Sequence, residues 1–305
     1  MSIPFVKDLQ FAYGTVSGLS PLVRRVIAQN PSAFTFHGTG TYIVGHGDAV
    51  AVIDPGPDDP AHVEALLKNL AGATVSHILI THTHRDHSPG AALLKARTGA
   101  PTYAFGPHPQ PKGSLAVEEG GDHDFTPDHL LKDGDVVRGK GWTMTALHTP
   151  GHISNHLCFA LHEEKALFSG DHVMGWSTTV ISPPDGNMTD YYASLRKLLP
   201  RDDQRYYPTH GAPIDRETTG NSPQHFVEAL LAHRAGRELQ IVNCLSEDGA
   251  MTIPQMVQRM YSDVPKYLHP AAARSVLAHL IHMAHEGRVE PQGGVADETA
   301  LYRLP

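Results

Sequence analysis

Between Thr81 and His87 the chain reads Thr-His-Thr-His-Arg-Asp-His, three imidazoles and one carboxylate within seven residues, directly after the apolar run His77-Ile78-Leu79-Ile80. The run predicts a strand. Side chains at i and i+2 of a strand point the same way, so His82 and His84 share a face, and the following turn can bring Asp86 and His87 toward the same point. Two metal ions could share such a cluster. Neutral imidazole and carboxylate donors suit zinc, with iron and manganese as competitors, and open coordination positions make a site of this kind hydrolytic. The chain carries 22 histidines in 305 residues. By chance, roughly one such pattern would arise in a few hundred proteins of this composition, so the cluster gains its weight from partners downstream.

The remaining composition is that of an ordinary globular chain, with 40% apolar and 18% charged residues, long enough for one large or two modest domains. Cys158 sits in the apolar run Leu157 to Leu161, far from Cys244, and reads as a buried thiol rather than a ligand or disulfide partner. No stretch approaches the length of a membrane span, and the N-terminus has no basic segment followed by an apolar core, so a cytoplasmic protein is expected. The net charge of −8 does not favour a polyanion, which would need a local basic patch.

Hydrophobic patterning predicts a hairpin of Thr41–Val44 and Ala49–Ile53 ending in Asp54-Pro55-Gly56, a helix from Pro60 to Leu70 capped by Asp58 or Asp59, the strand His77–Ile80, and a helix over Gly90–Thr98. The strand Thr102–Phe105 follows. Gly106 to Asp128, rich in Pro, Gly and His, reads as a surface excursion. Beyond it come strands over Trp142–Leu147, His156–Leu161 and Ala166–Phe168, a helix at about Asp190–Leu199, and the strand Arg205–Tyr207. This order suggests two packed sheets with helices outside, an α/β four-layer arrangement.

The character changes after Arg216. Ser222 to Leu245 reads as one long helix with Phe226, Leu230, Leu231 and Leu239 on its apolar side, followed by helices over Ile253–Tyr261 and Pro270–His285 and short extended pieces around Gly293-Gly294. Three helices and a terminal hairpin outline a winged helix. Residues 216–305 hold 8 Lys and Arg against 10 Asp and Glu, a balance better suited to packing, dimerising or shaping a cleft than to reading DNA.

Three further motifs put a ligand-capable residue at a strand end beside a turn: Thr149-Pro150-Gly151-His152, Ser169-Gly170-Asp171-His172 and Pro208-Thr209-His210-Gly211. With the histidine cluster, this ordered set resembles the metallo-β-lactamase-fold hydrolases over roughly Phe36 to Gly211. Among them it looks most like the lactamase-beta-2-like and glyoxalase II-like branch with a C-terminal winged-helix-like domain. The resemblance implies the four-layer αββα sandwich in residues 1–215 and a winged-helix-like domain in 216–305. It implies one metal held by His82, His84 and His152, a second by Asp86, His87 and His210, and Asp171 bridging both. Asp54 would then fix ligand geometry without touching metal, and His148, His156 and His172 would be supporting or packing residues. Asp171 where zinc β-lactamases often use cysteine argues against antibiotic hydrolysis.

The expected chemistry is hydrolysis by a metal-bridging hydroxide, with Asp86 orienting it and Asp171 as the shared ligand; zinc is the first candidate for the two divalent ions, iron or manganese the alternatives. A thioester or small acyl ester is the expected substrate and single-stranded RNA the alternative, with no membrane partner and a homo-oligomer compatible with the sequence. Selection is expected at the rim: the 106–128 excursion, Met174-Gly175-Trp176, Asn187-Met188-Thr189 and the C-terminal segment. Trp176, Tyr191 and Tyr192 are candidates to line it, although ordinary packing is the simpler role for each.

Overall fold

A computed structural model describes residues 3–109 and 120–305. Two sheets meet face to face. The first has seven strands in sequential order: β1 (Val16–Gly18), β2 (Val23–Ile27), β3 (Gly40–Val44), β4 (Ala49–Ile53), β5 (Thr74–Leu79), β6 (Thr102–Ala104) and β7 (His129–Leu130). From β1 to β4 the pairing is antiparallel; from β4 to β7 it is parallel. The change follows from the connections, since the two-glycine turn at Gly45 and Gly47, with φ of 105° and 83°, closes a hairpin. A parallel neighbour instead needs a crossover. Helix α1 (Pro60–Asn69) supplies the first crossover, its start capped by the Asp59 carboxylate accepting from Ala61 N–H. Helix α2 (Gly90–Thr98) supplies the next and stops at Gly99, whose φ of 71° is the left-handed cap.

The second sheet runs in the order β12 (Arg205–Pro208), β11 (Ala166–Gly170), β10 (Leu157–Leu161), β9 (Trp142–His148), β8 (Val136–Gly139). Only β12 is parallel to its neighbour, reached through α3 (Met188–Leu198). Strand alternation sets the layers. In β3, Tyr42 and Val44 face the core between the sheets, whereas Ile43 faces α1 and α2; in β10, Phe159 faces the inter-sheet core and Cys158 faces α3. Both faces of these strands are covered, giving the expected αββα order.

Helix α4 (Pro223–Asp248) opens the C-terminal segment, followed by β13 (Met251–Thr252), α5 (Ile253–Met260), a 3-10 turn at Lys266–Leu268, α6 (His269–His285), β14 (Glu290–Pro291) and β15 (Leu301–Arg303). The wing is a three-stranded sheet in the order β13-β15-β14. Phe226, Val227 and Leu230 of α4 join the core under β10 and β11, and Ile241, Cys244 and Leu245 join that of the winged helix. Leu239, expected on the apolar side, is 59% exposed. The buried stripe of α4 instead continues from Leu230 through Arg234 and Glu238 to Ile241 and Leu245. Both cysteines are free and buried. No helix among the described residues is long and apolar enough to cross a membrane.

Candidate metal centre

All seven residues implied by the resemblance converge at the ends of strands drawn from both sheets. His82, His84, Asp86 and His87 follow β5, His152 follows β9, Asp171 follows β11 and His210 follows β12. They form two trios. In the first, Nε2 of His82 and Nε2 of His152 lie 2.9 Å and 3.0 Å from Nδ1 of His84. In the second, Oδ2 of Asp86 lies 3.2 Å from Nε2 of His87 and 3.1 Å from Nε2 of His210. Asp171 stands between them, its Oδ2 3.6 Å from His87, 3.5 Å from His210 and 3.9 Å from His152. The described residues thus hold three groups with the spacing to grip an ion: His82-His84-His152, His82-His87-Asp171 and Asp86-His87-His210.

The hydrogen bonds around the rings decide which nitrogens point inward. His152 Nδ1–H donates to the carbonyl of Val180 at 2.6 Å, and His210 Nδ1–H donates to that of Gly38 at 3.1 Å. His87 Nδ1–H donates to Oδ2 of Asp54 at 2.9 Å. Each leaves Nε2 aimed at the cluster, the arrangement by which a partner fixes a ligand's tautomer. Asp54 directly follows β4 with a φ of 48°, a conformation aspartate tolerates. Its carboxylate also accepts from the backbone N–H and hydroxyl of Thr81 and from the hydroxyl of Thr209. At the centre, His87 Nε2 and Asp171 Oδ1 are buried and make no hydrogen bond among the described residues, the nitrogen standing 3.2 Å from the Asp86 carboxylate. Buried orphans of this kind, in a nitrogen and oxygen donor set, fit divalent cations.

Electrostatics divide the trios. Burial, reinforced by neighbouring His87 and His84, holds His82 well below the usual imidazole range. Burial would do the same to His87 and His210, but the carboxylates win. Asp86, Asp171 and Asp54 push His87 well up, and Asp171 and Asp86 raise His210 to about 10. Against their own burial, Asp86 and Asp171 are held well below the carboxylate range by His87 and His210.

The three neighbouring histidines stand outside the clusters. His156 Nε2 accepts from the backbone N–H of Asp171, with its Nδ1 2.9 Å from the hydroxyl of Thr149. His148 donates to the Ser154 carbonyl and stacks on Phe105. His172 is buried against Tyr191. The open side of the centre is lined by Phe34, Met174 and Val180 together with His84, Asp86, His152, Asp171 and His210.

Of the expected rim, Met174 lines this opening. Trp176 stacks on Phe36 at 4.6 Å, Asn187 caps α3 and Met188 is buried. Tyr191 and Tyr192 are buried packing residues rather than rim, their hydroxyls donating to the His172 carbonyl and to Glu238. Residues 110–119 of the expected excursion lie outside the described residues; of the rest, Gly121 pairs with His84 and His108 contacts Thr83. Sequence reasoning missed Phe34 and Val180. Val180 contributes a carbonyl, which leaves no signal in residue types.

The sequence model for the Metallo-beta-lactamase superfamily matches residues 35–210, and that for the Beta-lactamase associated winged helix domain matches residues 252–297. A lactamase-like protein of Pestalotiopsis microspora is 35% identical over 83% of this chain and 72% of its own length. An atrochrysone carboxyl ACP thioesterase of a Cryptosporiopsis species is 31% identical over 81% of this chain and 74% of its own. Among solved structures, a beta-lactamase domain protein of Burkholderia ambifaria superposes with a TM-score of 0.79 at 20% identity, covering 98% of this chain and 96% of that one.

Proposed function

From the premise that the chain belongs to the metallo-β-lactamase superfamily and is a metal-dependent hydrolase, we propose that it cleaves thioesters or related small acyl esters at a two-metal centre. In this reading His82, His84 and His152 hold one ion, Asp86, His87 and His210 the other, and Asp171 both. Zinc is the first candidate, with iron or manganese as alternatives. The reading takes residues 1–215 as the catalytic domain and 216–305 as the winged-helix-like domain. It is supported by the gap between the two family matches and by the start of α4 at Pro223.

The observation that carries the substrate class is the wall beside the centre. Phe34, Met174 and Val180 supply apolar surface, and the described residues lining the opening include no lysine or arginine. A phosphodiester chain needs cations along its path, whereas an acyl group gains from apolar contact. The thioesterase relative is consistent with that choice.

Two divalent cations held there would supply Lewis acidity, which lowers the pKa of water and favours negative charge on the oxygen or sulfur of the leaving group. The chain's own groups do the rest. Asp86 orients the attacking water, and Asp171 is the shared carboxylate between the trios. Asp54, Gly38 and Val180 hold the imidazoles in one tautomer. Phe34 and Met174 exclude water on the acyl side.

Assaying the metal-loaded protein against a thioester series and against single-stranded RNA, with Asp171→Ala as contamination control, tests the proposal. Thioester cleavage that is lost in the variant and tolerates salt is expected. RNA cleavage lost in the variant and weakened steeply by salt, without thioesterase activity, would make the nuclease reading correct instead.

A further inference from the structure

One buried cation links the C-terminal segment to the candidate metal centre. Arg234, in the middle of α4, is 3% exposed, donates from Nη2 to the carbonyl of Thr179, and lies over the ring of Tyr191 at 5.3 Å. Both contacts lead to ligand-bearing segments. The Thr179 hydroxyl lies 2.7 Å from the carbonyl of Asp171 and 3.0 Å from that of His172 and donates across the pair. The next carbonyl along, that of Val180, accepts from His152 Nδ1–H. Tyr191 donates from its hydroxyl to the carbonyl of His172 at 3.1 Å. Its backbone also lies so close to Gly151, the residue before His152, that a Cβ added there would come within 2.5 Å.

A guanidinium in this position is not what packing alone favours. Arg234 occupies the stripe that continues from Phe226 and Leu230, where an aliphatic side chain would pack without desolvating a charge. Its Nε is buried without a partner among the described residues. Its hydrogen bond into the first 215 residues lands on the 171–181 segment, between the backbone positions that hold Asp171 and His152.

We propose that Arg234 is a positioning residue through which α4 fixes the orientation of Asp171 and His152, so that the C-terminal segment completes the metal centre instead of being an appended module. The proposal rests on the reading of His152 and Asp171 as metal ligands. Arg234 fastens the Thr179-Val180 backbone and the Tyr191 ring, and these in turn fasten the two ligands from behind. Supporting contacts of this type typically change metal affinity about 10–100-fold when removed.

Titrating the full-length apo-protein with Co²⁺, followed by its visible absorption, tests this on Arg234→Met, Arg234→Lys, Thr179→Val and Tyr192→Phe. Arg234→Met and Thr179→Val are expected to bind one ion about 10–100-fold more weakly with a changed absorption band, and Arg234→Lys to recover part of the loss. Tyr192→Phe, which removes a different contact between α3 and α4, is expected to titrate as wild type. Should Arg234→Met fail to fold by circular dichroism, Arg234→Lys and Thr179→Val carry the test. Wild-type titration of the Arg234 and Thr179 variants, or equal impairment of Tyr192→Phe, would overturn the positioning role. A wild-type protein that takes up no cobalt sensitive to His152→Ala would overturn the ligand reading itself, a different result from unaffected variants of a normally loading protein.

Discussion

Oδ2 of Asp54 lies 2.9 Å from Nδ1 of His87, and Oδ1 of the same carboxylate is fixed by the backbone N–H of Thr81. The carboxylate that orients His87 is therefore tied to the residue that begins the histidine cluster. Asp54→Ala should weaken binding of the ion assigned to the Asp86-His87-His210 trio by about 10–100-fold. Asp171→Ala should cost more, because both trios face that carboxylate. Metal stoichiometry and kcat for the two variants check the order; equal losses at unchanged metal content would mean the roles are misassigned.

Metal uptake should release protons. His210 is raised to about 10 and His87 well above its ordinary value, so near neutral pH both rings are charged and a cation must displace a proton from each. Affinity should therefore rise with pH across the neutral range. Calorimetry in buffers of differing ionisation heat should give about two protons released on filling the site. The same titration should level off near two ions per chain.

Acid should destabilise the fold through His62. Burial lowers its pKa from 6.5 to about 4, and its ring lies 2.8 Å from the hydroxyl of Thr41. Between those values the unfolded chain binds the proton that the fold refuses, so stability is full above pH 6.5 and falls as pH drops toward 4. The loss attributable to this ring is roughly 3 kcal/mol. Denaturant melts of a His62→Gln protein should show a shallower decline in that window.

Phe34→Ala should raise KM for acyl substrates several-fold while leaving metal content unchanged, since Phe34 lines the opening and has no side-chain donor atom to give a metal. A fall in kcat with KM intact would place the side chain in the chemical step instead.

Removing residues 222–305 should leave an insoluble or aggregating protein, because Phe226, Val227 and Leu230 are fully buried in the core beneath β10 and β11. A soluble, fully active truncation would contradict both this and the role assigned to Arg234.

The candidate site was legible because its signals are local: each ligand-bearing motif sits at a strand end, beside the turn that shapes it. The αββα order and the winged helix were readable from periodicity. Strands β1, β2, β7, β8 and β13 were not. In β2 the alternation is obscured by Arg25, buried because its Nη1–H donates to the carbonyl of Gly211, and β7 is two residues long. The face of α4 was misjudged at Leu239 for a related reason. Its stripe passes through Arg234 and Glu238, charged residues whose burial depends on partners distant in sequence.

The ligand-bearing turns come from both sheets, and this constrains how the protein matures. While the chain is being synthesised, the first sheet can offer His82, His84, Asp86 and His87, but the His82-His84-His152 trio closes only once β9 has joined and the Asp86-His87-His210 trio only once β12 has. On the proposed ligand set, a chain made only as far as the first sheet presents fragments of a chelate, so tight capture of metal would wait for the second sheet.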